Sequence, residues 1–387
     1  MNNARWFGCV CALALSPTLL ACGSSDSDSN KTAPVLDFTA FDSAMTSFLQ
    51  ANDLAGASAV VVHKDWGVVH TSGYGDYDAD RLYVIASSSK VLSVGVLMRL
   101  ADQGKLDIDA PIGNYLKDWT GNKPELEVAQ LVSNSSGLVG LIDNPTYGPY
   151  LCQYIDSGTL ADCAKAIYDA DDAADRKPPD TEFHYGGGQW QLAGGIAEAI
   201  GGKPWADLIR ETYSEPCGLT TLGYTNQYTK ASATGGVAAA LAYPTFFDGD
   251  VKDLPVSANP SIEGGAYITA PDYGKVLLMH LRGGMCDGNR VLSEQAVTRM
   301  QQDRILEKYD GVAPDPTTEG YGLGWWIDRV HTGVVADAGA YGAMPWIDND
   351  REYGAFVVLQ SNAGVGVNLR TAVKPVLDAV FDDAEAK

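Results

Sequence analysis

Gly-x-Ser-x-Gly occurs nowhere in the 387 residues. Its absence excludes the strained strand-to-helix elbow that presents the serine of an α/β-hydrolase. Cys-x-x-Cys is also missing, and the five histidines show no metal-ligand spacing, so neither a metal nor any other cofactor is implied. Basic residues are scarce: 27 Lys and Arg stand against 49 Asp and Glu, a formal charge of −22. That balance argues against nucleic acid as a partner and against a basic patch docking on anionic lipid. The apolar run Phe7–Leu20 is too short to read as a membrane-spanning helix. No internal repeat is visible.

What the N-terminus does contain is an export signal. Arg5 supplies a short positive start, an apolar stretch follows, and Leu19-Leu20-Ala21-Cys22 resembles a bacterial lipobox. Residues 1–21 then form a lipoprotein signal peptide, with Cys22 the lipidated residue. Residues 22–37, opening Gly23-Ser-Ser-Asp-Ser-Asp-Ser-Asn30, read as a polar tether unable to build a core. The expected location is the bacterial cell envelope, anchored by lipid and leaning to the outer membrane, or else periplasmic or secreted. Cys9 and Cys11 leave with the signal, so Cys152, Cys163, Cys217 and Cys286 remain for an oxidising compartment. Cys152 and Cys163 bracket one loop-like stretch and are paired. Cys217 then pairs with Cys286 by elimination.

Beyond the tether, with 45% hydrophobic residues and 42 glycines, the chain reads as globular. Residues 38–51 have the pattern of an amphipathic helix. Ala57–Lys64 and Gly67–Thr71 read as strands joined at Asp65-Trp-Gly67. Gly333–Ala336, Ala343–Asp348 and Gly354–Leu359 are strand-like, and Asn368–Phe381 is a final helix. Gln189–Ile200, Pro204–Tyr213 and Pro271–Arg282 are helical between them. The pattern predicts an α/β (α+β) domain over 38–387. Its antiparallel sheet comes from both ends, about 38–86 and 320–387, with flanking helices and a mostly helical insertion over about 111–250.

The chemistry concentrates in Tyr83-Val-Ile-Ala-Ser-Ser-Ser-Lys90, a strand-like run feeding the helix pattern Val91–Leu100. Ser87 and Lys90 are one helical turn apart and emerge on one face, an arrangement that suits a serine nucleophile with a lysine base. The positive end of the helix is expected to help hold that lysine neutral. Ser-x-x-Lys by itself is common, and a serine N-cap before a core helix explains it equally well.

Further segments in order give it weight: Leu131-Val-Ser-Asn-Ser-Ser-Gly-Leu138, Phe183-His-Tyr185-Gly-Gly187, Tyr321-Gly-Leu-Gly-Trp325 and Asp337-Ala-Gly339-Ala-Tyr-Gly-Ala343. Taken together, residues 40–385 resemble the serine β-lactamase and penicillin-binding-protein superfamily, closest to the class C-related (family VIII) esterases. The resemblance implies that fold, acylation of Ser87 by an ester or amide substrate, and hydrolysis of the acyl-enzyme by water. It makes Lys90 the partner lysine and Tyr185 the phenolic base or proton shuttle, with a pKa lowered by Lys90. The backbone N–H groups of Ser87 and Ala340 form the oxyanion hole.

Two departures stand out. Gly187 replaces the family's asparagine, whose amide contacts substrate and lysine. Asp337-Ala338-Gly339 replaces Lys-Thr-Gly or His-x-Gly, so an acid stands where a base is usual. His331-Thr332-Gly333 is the competing match, set aside because Ala340–Ile347 fits the family's loop and strand only when Asp337 holds the motif position. A carboxylate at 337 facing the site repels anionic substrates and disfavours β-lactamase or DD-peptidase activity. Asp337, Gly339 and Gly187 are therefore expected to touch substrate, the alternative for Asp337 being that it points elsewhere and pairs with an Arg or Lys, and Trp190, Tyr147 and Tyr150 are candidates for an apolar acyl pocket or for plain core. Carboxylic esters are the expected substrates. Amide hydrolysis, on D-amino-acid peptides or nylon-type oligomers, is the alternative, and a sensor that acylates but turns over slowly is a third reading. His184 and His331 offer a conventional triad no visible serine.

Overall fold

The first strand of the domain is Gly56–His63 (β1), whose sequence GASAVVVH is buried along its whole length. Its β-branched run suits a pleated surface covered on both sides. β1 continues through a tight turn into Gly67–Gly75 (β2), with a register shift between Val61 and Val62. This is a computed structural model, and it describes residues 34–141, 146–230, 242–305 and 317–385. The signal peptide, Cys22 and most of the tether lie outside those residues.

Three short strands, Leu82–Val84 (β3), Gly223–Tyr224 (β4) and Ala266–Thr269 (β5), form a small sheet with β5 in the middle. Met285–Cys286 (β6) and Asn289–Arg290 (β7) pair with each other. The C-terminal part adds Glu319–Tyr321 (β8), Trp326–Asp328 (β9), Val334–Ala336 (β10), Ala343–Asp348 (β11) and Tyr353–Leu359 (β12). The seven-stranded sheet runs β2-β1-β12-β11-β10-β9-β8, every pair antiparallel. N- and C-terminal strands meet where Val60 faces Phe356 across the β1–β12 ladder. The sheet built from both ends is thus present.

Strand alternation splits the core in two. Val61, Ala59, Trp346 and Val357 face the helices Thr39–Ala51 and Ala363–Glu385. Val60, Val62, Phe356 and Val358 face the other way, toward the helical part. That part contains the helices Leu160–Asp169 and Gly187–Gly201, and a shorter helix, Trp205–Ile209, that runs on into a π turn at Arg210–Ser214. Short strand β4 inside it was not foreseen, because two residues carry no periodicity. The structure joins both expected cysteine pairs, with Cα separations of 5.5 Å for Cys152–Cys163 and 5.1 Å for Cys217–Cys286. Among the described residues no helix is long and apolar enough to cross a membrane.

Candidate active site

Strand β3 delivers the chain into a 3-10 turn, Ala86–Ser89, and the α-helix begins only at Lys90. In such a turn residues i and i+3 eclipse, which stacks Lys90 beside Ser87. Ala86 holds a φ of +45°, a left-handed conformation that costs a non-glycine residue about 1 kcal/mol. The surroundings enforce it. Ser89 Oγ donates to the Ala86 carbonyl at 2.5 Å and accepts from the Ala266 N–H at 2.9 Å. Ser88 Oγ donates to the Asp337 carbonyl at 2.6 Å.

Gly339 completes this cradle. A Cβ there would lie 2.2 Å from the Ile85 carbonyl oxygen, so only glycine lets the β10–β11 turn approach the Ala86–Ser89 turn. Its expected substrate contact is replaced by this packing role, and it is not part of the cavity wall.

Tyr185 arrives from the loop before the Gly187–Gly201 helix. That loop is clamped to the turn at Asn134: the His184 N–H donates to the Asn134 carbonyl at 2.8 Å, and the Leu141 N–H to the Tyr185 carbonyl at 2.6 Å. Gln189 Nε2 and Trp190 Nε1 each donate to Asn134 Oδ1 at 3.0 Å. The Ser-Asn-Ser-Ser-Gly segment is therefore a brace for Tyr185. His184, mostly buried, pairs with Glu182 at 2.8 Å, and the exposed His331 with Asp328 at 3.1 Å.

The resulting geometry is a three-membered contact. The Tyr185 hydroxyl donates to Ser87 Oγ at 2.8 Å, and Lys90 Nζ donates to the same oxygen at 3.2 Å. Lys90 is fully buried, with its Nζ 4.5 Å from the centre of the Tyr185 ring and 5.5 Å from that of Trp190. Glu263, not singled out in the sequence, completes the surroundings. Its carbonyl accepts from Lys90 Nζ at 3.2 Å and its Oε2 lies 3.4 Å away. The β3–β5 pairing carries it there: the Ile85 N–H donates to the Ala266 carbonyl at 3.0 Å, three residues past Glu263.

The charge states differ from expectation. Burial alone would push Lys90 down, but Tyr185, Glu263 and Asp337 outweigh it and hold its ammonium above the ordinary lysine value. The helix terminus does not keep it neutral. For Tyr185, burial pushes the phenol up; Lys90 pulls it back, while Asp337 and Glu263 add to the rise. Its expected lowering is overturned. At rest the pair is a phenol and an ammonium, both donating to Ser87.

A cavity of about 580 Å³ opens from this point. Ser87, Tyr185, Glu263 and Tyr228 line one end; Trp326, Ile327, Ala338, Ala340 and Met344 form the walls; Asp328, His331 and Arg370 lie among the lining residues too. A second cavity of about 590 Å³, near Asp76 and Thr220, shares none of these residues.

Several expected pocket residues lie elsewhere. Asp337 is fully buried, its carboxyl has no hydrogen-bond partner among the described residues, and burial pushes it well above the usual carboxylate range against the pull of Lys90. Ala336, Ala338 and Ala340 line the cavity, whereas Asp337 and Gly339, in the segment just past β10, do not. Trp190 is core, braced on Asn134 behind Lys90. Tyr150 is core too, donating to Asp172, and Tyr147 donates to Asp175 at 2.6 Å away from the cavity. The aromatic wall is Trp326, stacked on Tyr185 at 6.0 Å between ring centres. The Trp325-Trp326 pair held that signal: alternation buries the first and turns the second outward.

A profile of the beta-lactamase family matches residues 41–376. The chain belongs to that family. Members of the family are serine hydrolases, and this chain carries the superfamily's β-lactamase-like fold. "Penicillin-binding protein 4" of Amycolatopsis lactamdurans is 26% identical over 336 residues, covering 82% of this chain and 80% of that protein. The solved structure of EstCE1, described as a hydrolase with promiscuous acyltransferase activity, superposes with a TM-score of 0.65 at 18% identity, covering 86% of this chain and 99% of that one. A D-stereospecific amidohydrolase from a Streptomyces species has a TM-score of 0.59 at 18% identity, covering 84% and 95%. At those identities the two structures speak to the fold alone.

Proposed function

We propose that this serine hydrolase cleaves carboxylic esters through an acyl-Ser87 intermediate, with Lys90 and Tyr185 as its proton-transfer pair. The observation that carries the reading is Ser87 Oγ held by Tyr185 at 2.8 Å and Lys90 at 3.2 Å at the end of a largely apolar cavity.

At rest both partners donate to Ser87, so the working form is the pair after loss of one proton. Ser87 Oγ then attacks the ester carbonyl while its proton passes to the pair. Neighbouring amides are engaged, the Ser88 N–H with Ile85 and the Gly339 N–H with Ala343. The N–H groups of Ser87 and Ala340, both at the cavity, are assigned to the oxyanion. Collapse of the tetrahedral adduct breaks the C–O bond, and the leaving alcohol takes the proton back. Water, deprotonated by the same pair, then attacks the acyl carbon and frees Ser87 and the acid.

Esters are favoured over amides because no side chain at Gly187 can recognise an amide, and the walls Ile327, Ala338 and Met344 suit an apolar acyl chain. Amide hydrolysis, the activity named for the Streptomyces neighbour, is the competing outcome. Matched p-nitrophenyl esters and p-nitroanilides, with intact-mass detection of acyl-Ser87, separate the two. Preference for the anilides, or acylation at another residue, defeats the ester reading. We also assign the chain to the cell envelope through lipid on Cys22, which mass spectrometry of the mature N-terminus tests.

A further inference from the structure

The site contains a carboxylate in a place that Gly187 leaves open. A Cβ built on Gly187 would lie 2.0 Å from Gln153 Oε1, 2.2 Å from Glu263 Oε1 and 2.6 Å from Glu263 Cδ. The two side chains therefore converge on the space a residue at 187 would fill. Glu263 is 6% exposed and forms part of the cavity wall, yet its other oxygen reaches Lys90. Asp337, the second acid near Lys90, is fully buried, and its carboxyl has no hydrogen-bond partner among the described residues. Of these two acids, Glu263 is the one whose carboxyl lies within hydrogen-bond distance of Lys90 Nζ.

We propose that Glu263 is a positioning residue of this site: its carboxylate fills the space left by Gly187 and holds the Lys90 ammonium against Ser87. The inference rests on the reading of Ser87 as nucleophile. Lys90 meets Tyr185, Glu263 and Asp337, while the phenols of Tyr154, Tyr185, Tyr228, Tyr321 and Tyr341 feel the Glu263 charge. Removing that charge weakens the hold of both Lys90 and Tyr185 on their protons. The working form of the pair then appears at lower pH, but with the lysine less well placed.

The test uses the mature chain and a neutral p-nitrophenyl ester, with labelling of Ser87 by a fluorophosphonate read by intact mass. Glu263→Gln keeps the shape and removes the charge. It is expected to lower kcat by about tenfold with little change in KM, and to move the rising limb of the pH–rate profile down by about one pH unit. Gly187→Asn displaces Glu263 and is expected to lose activity comparably. Gly187→Asn with Glu263→Ala relieves the crowding, gives the lysine a new side-chain neighbour, and is expected to exceed either single variant. An unmoved or upward-shifted limb in Glu263→Gln overturns the proposal, as does a double variant weaker than both singles. Wild-type protein that is never labelled at Ser87 removes the nucleophile reading itself, a result distinct from labelled protein indifferent to Glu263.

Discussion

Tyr185 donates to Ser87 Oγ at 2.8 Å across 98 residues of sequence, a shorter contact than the 3.2 Å to Lys90 only three residues away. The distant partner is held as firmly as the near one because its loop is braced at Asn134 and Leu141. Ser87→Ala is therefore expected to abolish ester hydrolysis and leave the thermal midpoint nearly unchanged, since one oxygen is removed. Lys90→Ala and Tyr185→Phe are each expected to lower kcat/KM by roughly 10²–10⁴-fold. Their double variant should be little worse than the poorer single, as for residues acting as one unit. Residual wild-type activity in Ser87→Ala sinks the assignment.

The resting charge states set a pH dependence. Lys90 and Tyr185 are both held above their ordinary values, so the pair loses its working proton only as pH rises. The rate kcat/KM on a neutral ester should climb from neutral toward alkaline pH. A maximum in the acid range would contradict the proton inventory.

Asp337 separates a substrate contact from an interior role. Because its carboxyl is turned away from the cavity, Asp337→Asn should alter kcat/KM for neutral and carboxylate-bearing esters by the same factor, within about twofold. Selective improvement of the anionic substrates would show that residue 337 does face them.

His280 gives the fold an acid-sensitive element. It is fully buried, neither ring nitrogen has a partner among the described residues, and burial lowers it to about 4 from 6.5. A depressed histidine takes up its proton in the unfolded chain first, so its stability contribution is intact above pH 6.5 and is lost as pH falls toward 4. The loss amounts to about 3 kcal/mol. His280→Leu should flatten urea-derived stability across that window, and an unchanged slope would refute the account.

The disulfides are separable by loop length. Cys217–Cys286 closes 69 residues and Cys152–Cys163 closes 11. Chain entropy gives about 4 kcal/mol for the first and about 3 kcal/mol for the second. Paired serine substitutions followed by urea unfolding should reproduce that order; a costlier short loop would point to native-state contacts instead.

Local regularities were legible from the chain because they depend on neighbours in sequence. Short apolar runs announced β1, β11 and β12, the helical pattern announced Gly187–Gly201 and Ala270–Leu281, and three-residue spacing put Ser87 beside Lys90. Ordered motifs also placed Tyr185, through resemblance. What tertiary structure alone decided is the electrostatics. Glu263 reaches Lys90 from 173 residues away, carried by the pairing of β3 with β5, which no pattern in either strand announces. The proton affinities of Lys90 and Tyr185 follow from burial and from that carboxylate. Coulomb energy depends on distance and dielectric, and both are properties of packing between segments that the sequence keeps far apart.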